Sequence, residues 1–189
     1  MALLVAGLLL FLGVHSISII NEPLRNRLAA AMGDVAFKGV YSLIALAGLV
    51  LIVSGYGSAR LDPTLIYQPP GWLRHLALLL LLPVFPLFFA TYFPGKISAT
   101  LKHPTLVAVK LWALAHLLAN GMLHDLVLFG AFLAWAVADR ISIKRRVPRK
   151  IHAFPARATN DVIAIVGGLA VYVLTVLWLH QWLIGVSPV

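Results

Sequence analysis

Residues 102–121 read KHPTLVAVKLWALAHLLANG, an apolar stretch that carries the ionisable side chain of His116 in its interior. Pro104 suits the first turn of a helix, where its missing N–H costs no hydrogen bond. His116 then lies roughly 18 Å along the helix from Pro104, inside a hydrocarbon core about 30 Å thick. An ionisable residue at that depth is a functional-site hypothesis, and imidazole is the commonest metal ligand.

The rest of the chain shares this apolar character. Of its 189 residues, 61% are hydrophobic and 11% are charged, and the mean hydropathy is +0.96. These values exclude a water-soluble globule. Because a bilayer core offers no water to an open backbone, the spanning segments must be helices. The sequence therefore predicts an all-α, polytopic membrane helix bundle, with a single domain over residues 1–189.

Apolar stretches of about 20 residues predict the transmembrane segments. Pro83 and Pro86 predict a kink in the third of them. The fifth is one of the two shortest, so the alternative is five spans. The six predicted spans run from Ala2 to Ile20, Gly39 to Tyr56, Trp72 to Tyr92, Pro104 to Ala119, Leu123 to Ala138 and Asp161 to Ile184.

Basic residues predict the orientation, because Lys and Arg collect in cytoplasmic loops. Thirteen of the fifteen flank the first, third and fifth connections, and only Arg60 and Arg74 fall near the second. We therefore expect both termini to face outside. The net charge of +9 comes from residues flanking apolar spans, so nucleic acid is not the expected partner. The segment from Arg140 to Arg157 is expected to contact anionic lipid head groups.

Histidines are the candidates for chemistry. The chain has no cysteine, which removes thiolate ligands, and its six acidic residues all fall in connections or at span ends. At 100° per residue, His116 shares a helix face with Trp112 and Asn120, a face that could clamp a flat cofactor. An interhelical hydrogen-bond patch is the alternative interpretation. His15 is the second buried candidate.

Three further histidines are predicted near the external ends of their helices, where interfacial residues are common. They form a competing cluster for a metal site. They are His75, His124 and His180.

Several segments resemble the NnrU family of bacterial inner-membrane proteins. They are FLGVHS at residues 11–16, KGVYSL at 38–43, the stretch 102–121, LFGAF at 128–132 and KRR at 144–146. The resemblance covers nearly the whole chain. It implies a multi-pass protein of the bacterial inner membrane, associated with nitrite and nitric oxide reductase systems in denitrification. Components of those reductases are the protein partners that it implies.

The same family includes the plant zeta-carotene isomerase, a haem b enzyme. This chain resembles it in His15-Ser16 and in Ala115-His116. The resemblance implies haem b with His15 and His116 as axial ligands, and Trp112 and Asn120 are expected to help bind it. The plant enzyme has an exchangeable cysteine where this chain has Ala113, so the resemblance supports haem binding better than ligand-switch isomerisation.

Three functions stay open on these grounds. The first is a haem protein that carries electrons, senses nitrogen oxides or supports reductase activity. The second is a haem-dependent cis–trans isomerase of polyenes. The third is a cofactor-free assembly or interaction protein of the membrane.

Overall fold

The computed structural model describes residues 1–147 and 153–189, and it confirms the all-helical fold class. Within these residues the only extended pairing is an isolated bridge between Leu65 and Met122. The helices are α1 (Ala2–Ile20), α2 (Glu22–Met32), α3 (Asp34–Ala59), α4 (Trp72–Leu81), α5 (Val84–Tyr92), α6 (Lys96–Leu101), α7 (Pro104–Ala119), α8 (Leu123–Ser142), α9 (Asn160–Leu174), a π-helical turn (Thr175–Leu179) and α10 (His180–Ile184).

Among the described residues, four stretches are long and apolar enough to cross a membrane. They are Ala2–Ile20, Asp34–Ala59, Trp72–Tyr92 and Asn160–Ile184, and α7 is a shorter apolar helix. Helix α8 covers the predicted fifth span at a length of 20 residues. The first and fourth predicted spans begin and end where the helices do. The lengths and hydropathy of these helices therefore agree with the membrane protein predicted from composition.

Two of the connections between the predicted spans contain short helices, α2 and α6. The side chain of Asn21 accepts a hydrogen bond from the Leu24 N–H and caps α2, and Pro23 occupies its first turn. The third predicted span is interrupted between α4 and α5, because Pro83 has no N–H to continue the helical ladder. The interruption falls at Pro83, one of the two prolines at which a kink was predicted, whereas Pro86 lies within α5.

The described residues fall into two compact units. Unit 1 comprises Met1–Gln68 and residues 120–147, with α1, α2, α3 and α8. Its α1 and α3 approach closely at glycines. A Cβ on Gly48 would lie 2.7 Å from the backbone nitrogen of Phe11, and one on Gly7 would lie 2.5 Å from that of Ile52. Small residues that let backbones touch are typical of helix pairs in membranes.

Unit 2 comprises Pro69–Ala119 and residues 153–189. Val84, Leu87 and Ala108 form its core, where α5 packs on α7. Helix α9 packs on α5, and its Asp161 carboxylate accepts hydrogen bonds from the backbone of Lys96 and Ile97. Those two N–H groups open α6, so a side chain from a distant segment caps that helix.

The predicted lipid-contacting segment from Arg140 to Arg157 includes residues 148–152, which lie outside the described residues. At its start, Arg146 forms an ion pair with Asp139 of α8. The same region contains a cleft of about 460 Å³, and its lining includes Ser18, Glu22, Ser142, Arg145 and Arg146. Contact of this segment with lipid stays a prediction.

Candidate metal-ligating histidines

His116 lies three residues before the end of α7 and is half-buried. Its Nδ1 atom is 2.8 Å from the carbonyl oxygen of Trp112, one turn earlier. A carbonyl oxygen only accepts hydrogen bonds, so Nδ1 donates and the lone pair of the neutral ring is on Nε2. The indole of Trp112 packs against the imidazole with ring centroids 5.4 Å apart. Proteins orient metal-ligating histidines through such second-nitrogen hydrogen bonds.

His180 is the neighbour of His116 within unit 2. The two imidazole centroids are 6.4 Å apart, and the ring planes are inclined by 23°. His180 directly follows the π-helical turn. Its Nδ1 atom is 2.6 Å from the carbonyl oxygen of Val186, so it too donates from Nδ1. The chain reaches that position because Gly185 ends the helix in the left-handed conformation, at φ +77°.

His15 repeats in unit 1 the local arrangement of His116. Its Nδ1 atom is 2.7 Å from the carbonyl oxygen of Phe11, four residues earlier, and the two rings stack at 4.4 Å. The rings of Tyr41 and Trp135 lie 5.1 Å and 6.0 Å from the imidazole. Each of the two histidines thus follows an aromatic residue by one turn, and that residue fixes its tautomer.

The indole N–H of Trp135, beside His15, is buried and has no hydrogen-bond partner among the described residues. A buried donor without an acceptor costs about 1–3 kcal/mol. Such groups are rare in native proteins and each calls for an explanation. An acceptor supplied by a bound group is one that fits this position.

The residues predicted to form one site are distributed over both units. Trp112 and His116 belong to unit 2, whereas His15 and Asn120 belong to unit 1. Asn120 follows the last residue of α7, and its carbonyl oxygen accepts a hydrogen bond from the Tyr67 hydroxyl at 2.7 Å. Ligation by His15 and a contact of Asn120 with a cofactor stay predictions.

The predicted cluster of external histidines is divided in the same way. His75 is exposed on α4 of unit 2, and His180 belongs to the same unit. His124 is buried in unit 1. No group of three or more His, Cys, Asp or Glu side chains suited to a metal ion occurs in the described parts of the chain. A site built from two imidazoles needs its remaining ligands from elsewhere, as in haem.

His124 belongs instead to a buried polar group at the start of α8. The Tyr56 hydroxyl donates to Asp125 Oδ1 at 2.5 Å, and His124 Nε2 lies 3.7 Å from the same oxygen. Tyr67 lies in the connection between α3 and α4. Burial raises the pKa of its phenol, and the negative charge of Asp125 raises it further. These contacts satisfy the carboxylate and hold the first turn of α8 to α3.

Comparison with known proteins agrees with the resemblance noted in the sequence. The profile of the NnrU protein family matches residues 3–188. The chain belongs to the NnrU family. No curated protein and no solved structure matches it.

Two features of these sites were not identified in the sequence. One is the contact between His116 and His180, since the sequence placed His180 with His75 and His124 instead. The other is the group of aromatic rings around His15 that Tyr41 and Trp135 provide. For His15 a signal existed, because an aromatic residue one turn before a buried histidine occurs at both Phe11 and Trp112.

Proposed function

We propose that this NnrU protein binds haem b in the bacterial inner membrane and serves denitrification as an electron-carrying protein. The observation that supports it most is the state of His116. Its imidazole lies in an apolar helix, and the Trp112 carbonyl holds its tautomer so that Nε2 is the basic nitrogen. Haem iron binds such a nitrogen as an axial ligand.

The chemistry of the available donors also fits haem. The chain has no cysteine, so thiolate-bound clusters and zinc–thiolate sites have no ligands here. A zinc or iron site made by side chains alone needs three or four donors. Haem supplies four nitrogen ligands of its own, so the protein needs to supply only one or two axial ligands. Two imidazoles are therefore enough.

His116 is the residue that we propose to hold the haem iron, because the resemblance implies it and because its Nε2 is the basic nitrogen. Two histidines are candidates for the opposite position: His15, which the resemblance implies, and His180, whose ring lies beside that of His116. His116 and one of these two residues would hold the haem, and haem held by two imidazoles supplies electron exchange. Ala113 is fully buried and offers no exchangeable ligand, which favours electron transfer over ligand-switch isomerisation.

The apolar side chains around His116 would set the properties of the bound group. Low polarity around an iron porphyrin tunes its reduction potential, as do hydrogen bonds to the axial imidazole. Trp112 would contribute to both, because its carbonyl holds the His116 ring and its indole packs against that ring. We propose nitrite or nitric oxide reductase components as the redox partners.

The test is the haem content of the protein purified in detergent from bacterial membranes. We expect stoichiometric haem b by pyridine haemochrome and a Soret band that shifts on reduction. His116→Ala should lose that band. His75→Ala removes an exposed histidine of the same unit and should keep it. A folded, monodisperse wild-type protein without haem refutes the proposal.

A separate measurement addresses the role in denitrification. In a denitrifying host, deletion of this protein should lower the nitrite or nitric oxide reductase activity of whole cells. The wild-type chain should restore it, and His116→Ala should not. Full restoration by His116→Ala would show that any role there does not use the haem.

A further inference from the structure

We infer that the cleft beside Arg145 and Arg146 binds the head group of one anionic phospholipid, whose acyl chains lie over the ends of α1 and α8. The cleft has a volume of about 460 Å³ and lies within unit 1. The inference does not depend on haem binding. It also goes beyond a general attraction of the basic segment to a charged membrane, because it assigns a defined site for a single lipid.

The lining of the cleft has two chemical parts. The polar part consists of two arginines, two serines and one glutamate, which can bind a phosphate and the alcohol attached to it. The apolar part consists of Ile19, Ala138 and Ile141. A phospholipid has the same two parts, whereas a small soluble anion has no apolar portion to place against these side chains. The mixed lining therefore favours a lipid.

The position of the cleft also suits a lipid. It lies where α1 and α8 end, and the Ser142 hydroxyl donates to the Ile19 carbonyl across those ends at 3.5 Å. Helix α1 has 19 residues, so its length of about 28 Å matches a hydrocarbon core about 30 Å thick. Its last residues therefore lie near the head groups when α1 crosses a membrane. Ile141 is 55% exposed, which leaves its side chain available to an acyl chain.

Two guanidinium groups are the phosphate-binding elements of the cleft. Arg145 is exposed. Arg146 is mostly buried and pairs with Asp139 through one terminal nitrogen, while its Nε atom has no hydrogen-bond partner among the described residues. A guanidinium has five N–H donors in a fork that matches phosphate oxygens. The pair with Asp139 uses only part of that capacity.

The acid in the lining indicates which part of the head group lies where. Two arginines against Glu22 leave the lining with a net positive charge, which favours a lipid with a net negative charge. The Glu22 carboxylate only accepts hydrogen bonds and repels a phosphate, but a head-group hydroxyl can donate to it. We therefore assign the phosphate to the arginines and the alcohol to Glu22. Phosphatidylglycerol, whose head group carries two hydroxyls, has this chemistry.

The first experiment titrates the protein, purified in a neutral detergent, with phosphatidylglycerol and counts bound lipid by native mass spectrometry. The wild type should retain one molecule. Lys144→Gln is the matched control for Arg145→Gln, because Lys144 is exposed, adjacent and not among the described residues that line the cleft. General attraction to a basic surface is about fivefold per residue, whereas a charged hydrogen bond contributes about tenfold or more.

We therefore expect Arg145→Gln to weaken phosphatidylglycerol binding by more than about tenfold, and Lys144→Gln by about fivefold or less. Equal losses in the two variants would indicate diffuse attraction and overturn the inference. A wild-type protein that retains no phosphatidylglycerol would overturn it as well.

A second pair of variants tests the apolar part without changing charge. Ala138→Trp places an indole in the cleft, whereas Ala134→Trp makes the same change one turn earlier on α8, at an exposed residue outside the lining. Ala138→Trp should lose the bound lipid and Ala134→Trp should keep it. Retention of the lipid by Ala138→Trp shows that the lipid binds elsewhere.

Competition identifies the source of the phosphate. Inorganic phosphate and glycerol 3-phosphate at millimolar concentration should not displace phosphatidylglycerol. Displacement by either one would show a site for soluble anions and overturn the assignment to a lipid. Phosphatidylethanolamine with the same acyl chains lacks the net negative charge and should bind about fivefold more weakly. Equal binding of the two lipids would overturn the selectivity for an anionic lipid.

Discussion

Replacing Gly48 with alanine should separate α1 from α3 at Phe11. A Cβ on Gly48 would lie 2.7 Å from the Phe11 nitrogen and 2.9 Å from its Cα, whereas ordinary contact begins at 3.4 Å. The obstructing atoms are backbone atoms, which cannot move aside by changing a rotamer. The two helices must therefore move apart at this contact.

The cost follows from two opposing effects. Overpacking a close contact destabilises a protein by about 1–3 kcal/mol. Alanine in place of glycine in a helix gains up to about 1 kcal/mol of helix propensity. We therefore expect Gly48→Ala to lower the free energy of unfolding by up to about 2 kcal/mol. At about 2–4 °C per kcal/mol for a chain of this size, the melting temperature in detergent should fall by several degrees.

The assay is thermal unfolding of the purified protein, followed by tryptophan fluorescence. Matched controls come from the same two helices, because a Cβ on Gly13 of α1 or Gly57 of α3 would meet nothing within 4 Å. Both control variants should melt at or above the wild-type temperature. The reasoning is refuted if Gly48→Ala is as stable as Gly13→Ala.

Two further predictions concern long-range hydrogen bonds. Tyr56→Phe removes the hydroxyl that donates to buried Asp125, so the free energy of unfolding should fall by about 1–2 kcal/mol in the same melting assay. The control Tyr92→Phe changes an exposed ring and should have little effect on stability. Equal effects of the two variants would contradict the role of the Tyr56–Asp125 hydrogen bond. Asp161→Ala leaves two N–H groups of α6 without their cap, so amide exchange at Lys96 should become faster, and unchanged protection there would show that the cap is dispensable.

The helices themselves were largely predictable from the sequence. Ala2–Ile20 and Pro104–Ala119 end where their apolar runs end, because in a membrane hydropathy and helix length are set by the same bilayer. Helix α6 was not predicted, since its six residues have no strong pattern and its cap, Asp161, is distant in the chain. Contacts of that range depend on tertiary packing.

The candidate site was predictable where it is local. The contact of Trp112 with His116 follows from their spacing of one helical turn, and so does that of Phe11 with His15. The contact of His116 with His180 depends on which helices pack together and on a π turn. Hydrophobic periodicity reports neither of these, because it assumes regular helices.

The π turn at Thr175–Leu179 also affects how relatives of this chain should be aligned. A π turn amounts to one inserted residue in a helix. A relative without the insertion would present the equivalent imidazole one position earlier in its sequence. An alignment that forbids gaps inside helices would then pair His180 with the wrong residue and score it as variable. Placing a one-residue gap between Thr175 and Leu179 restores the comparison for this side chain.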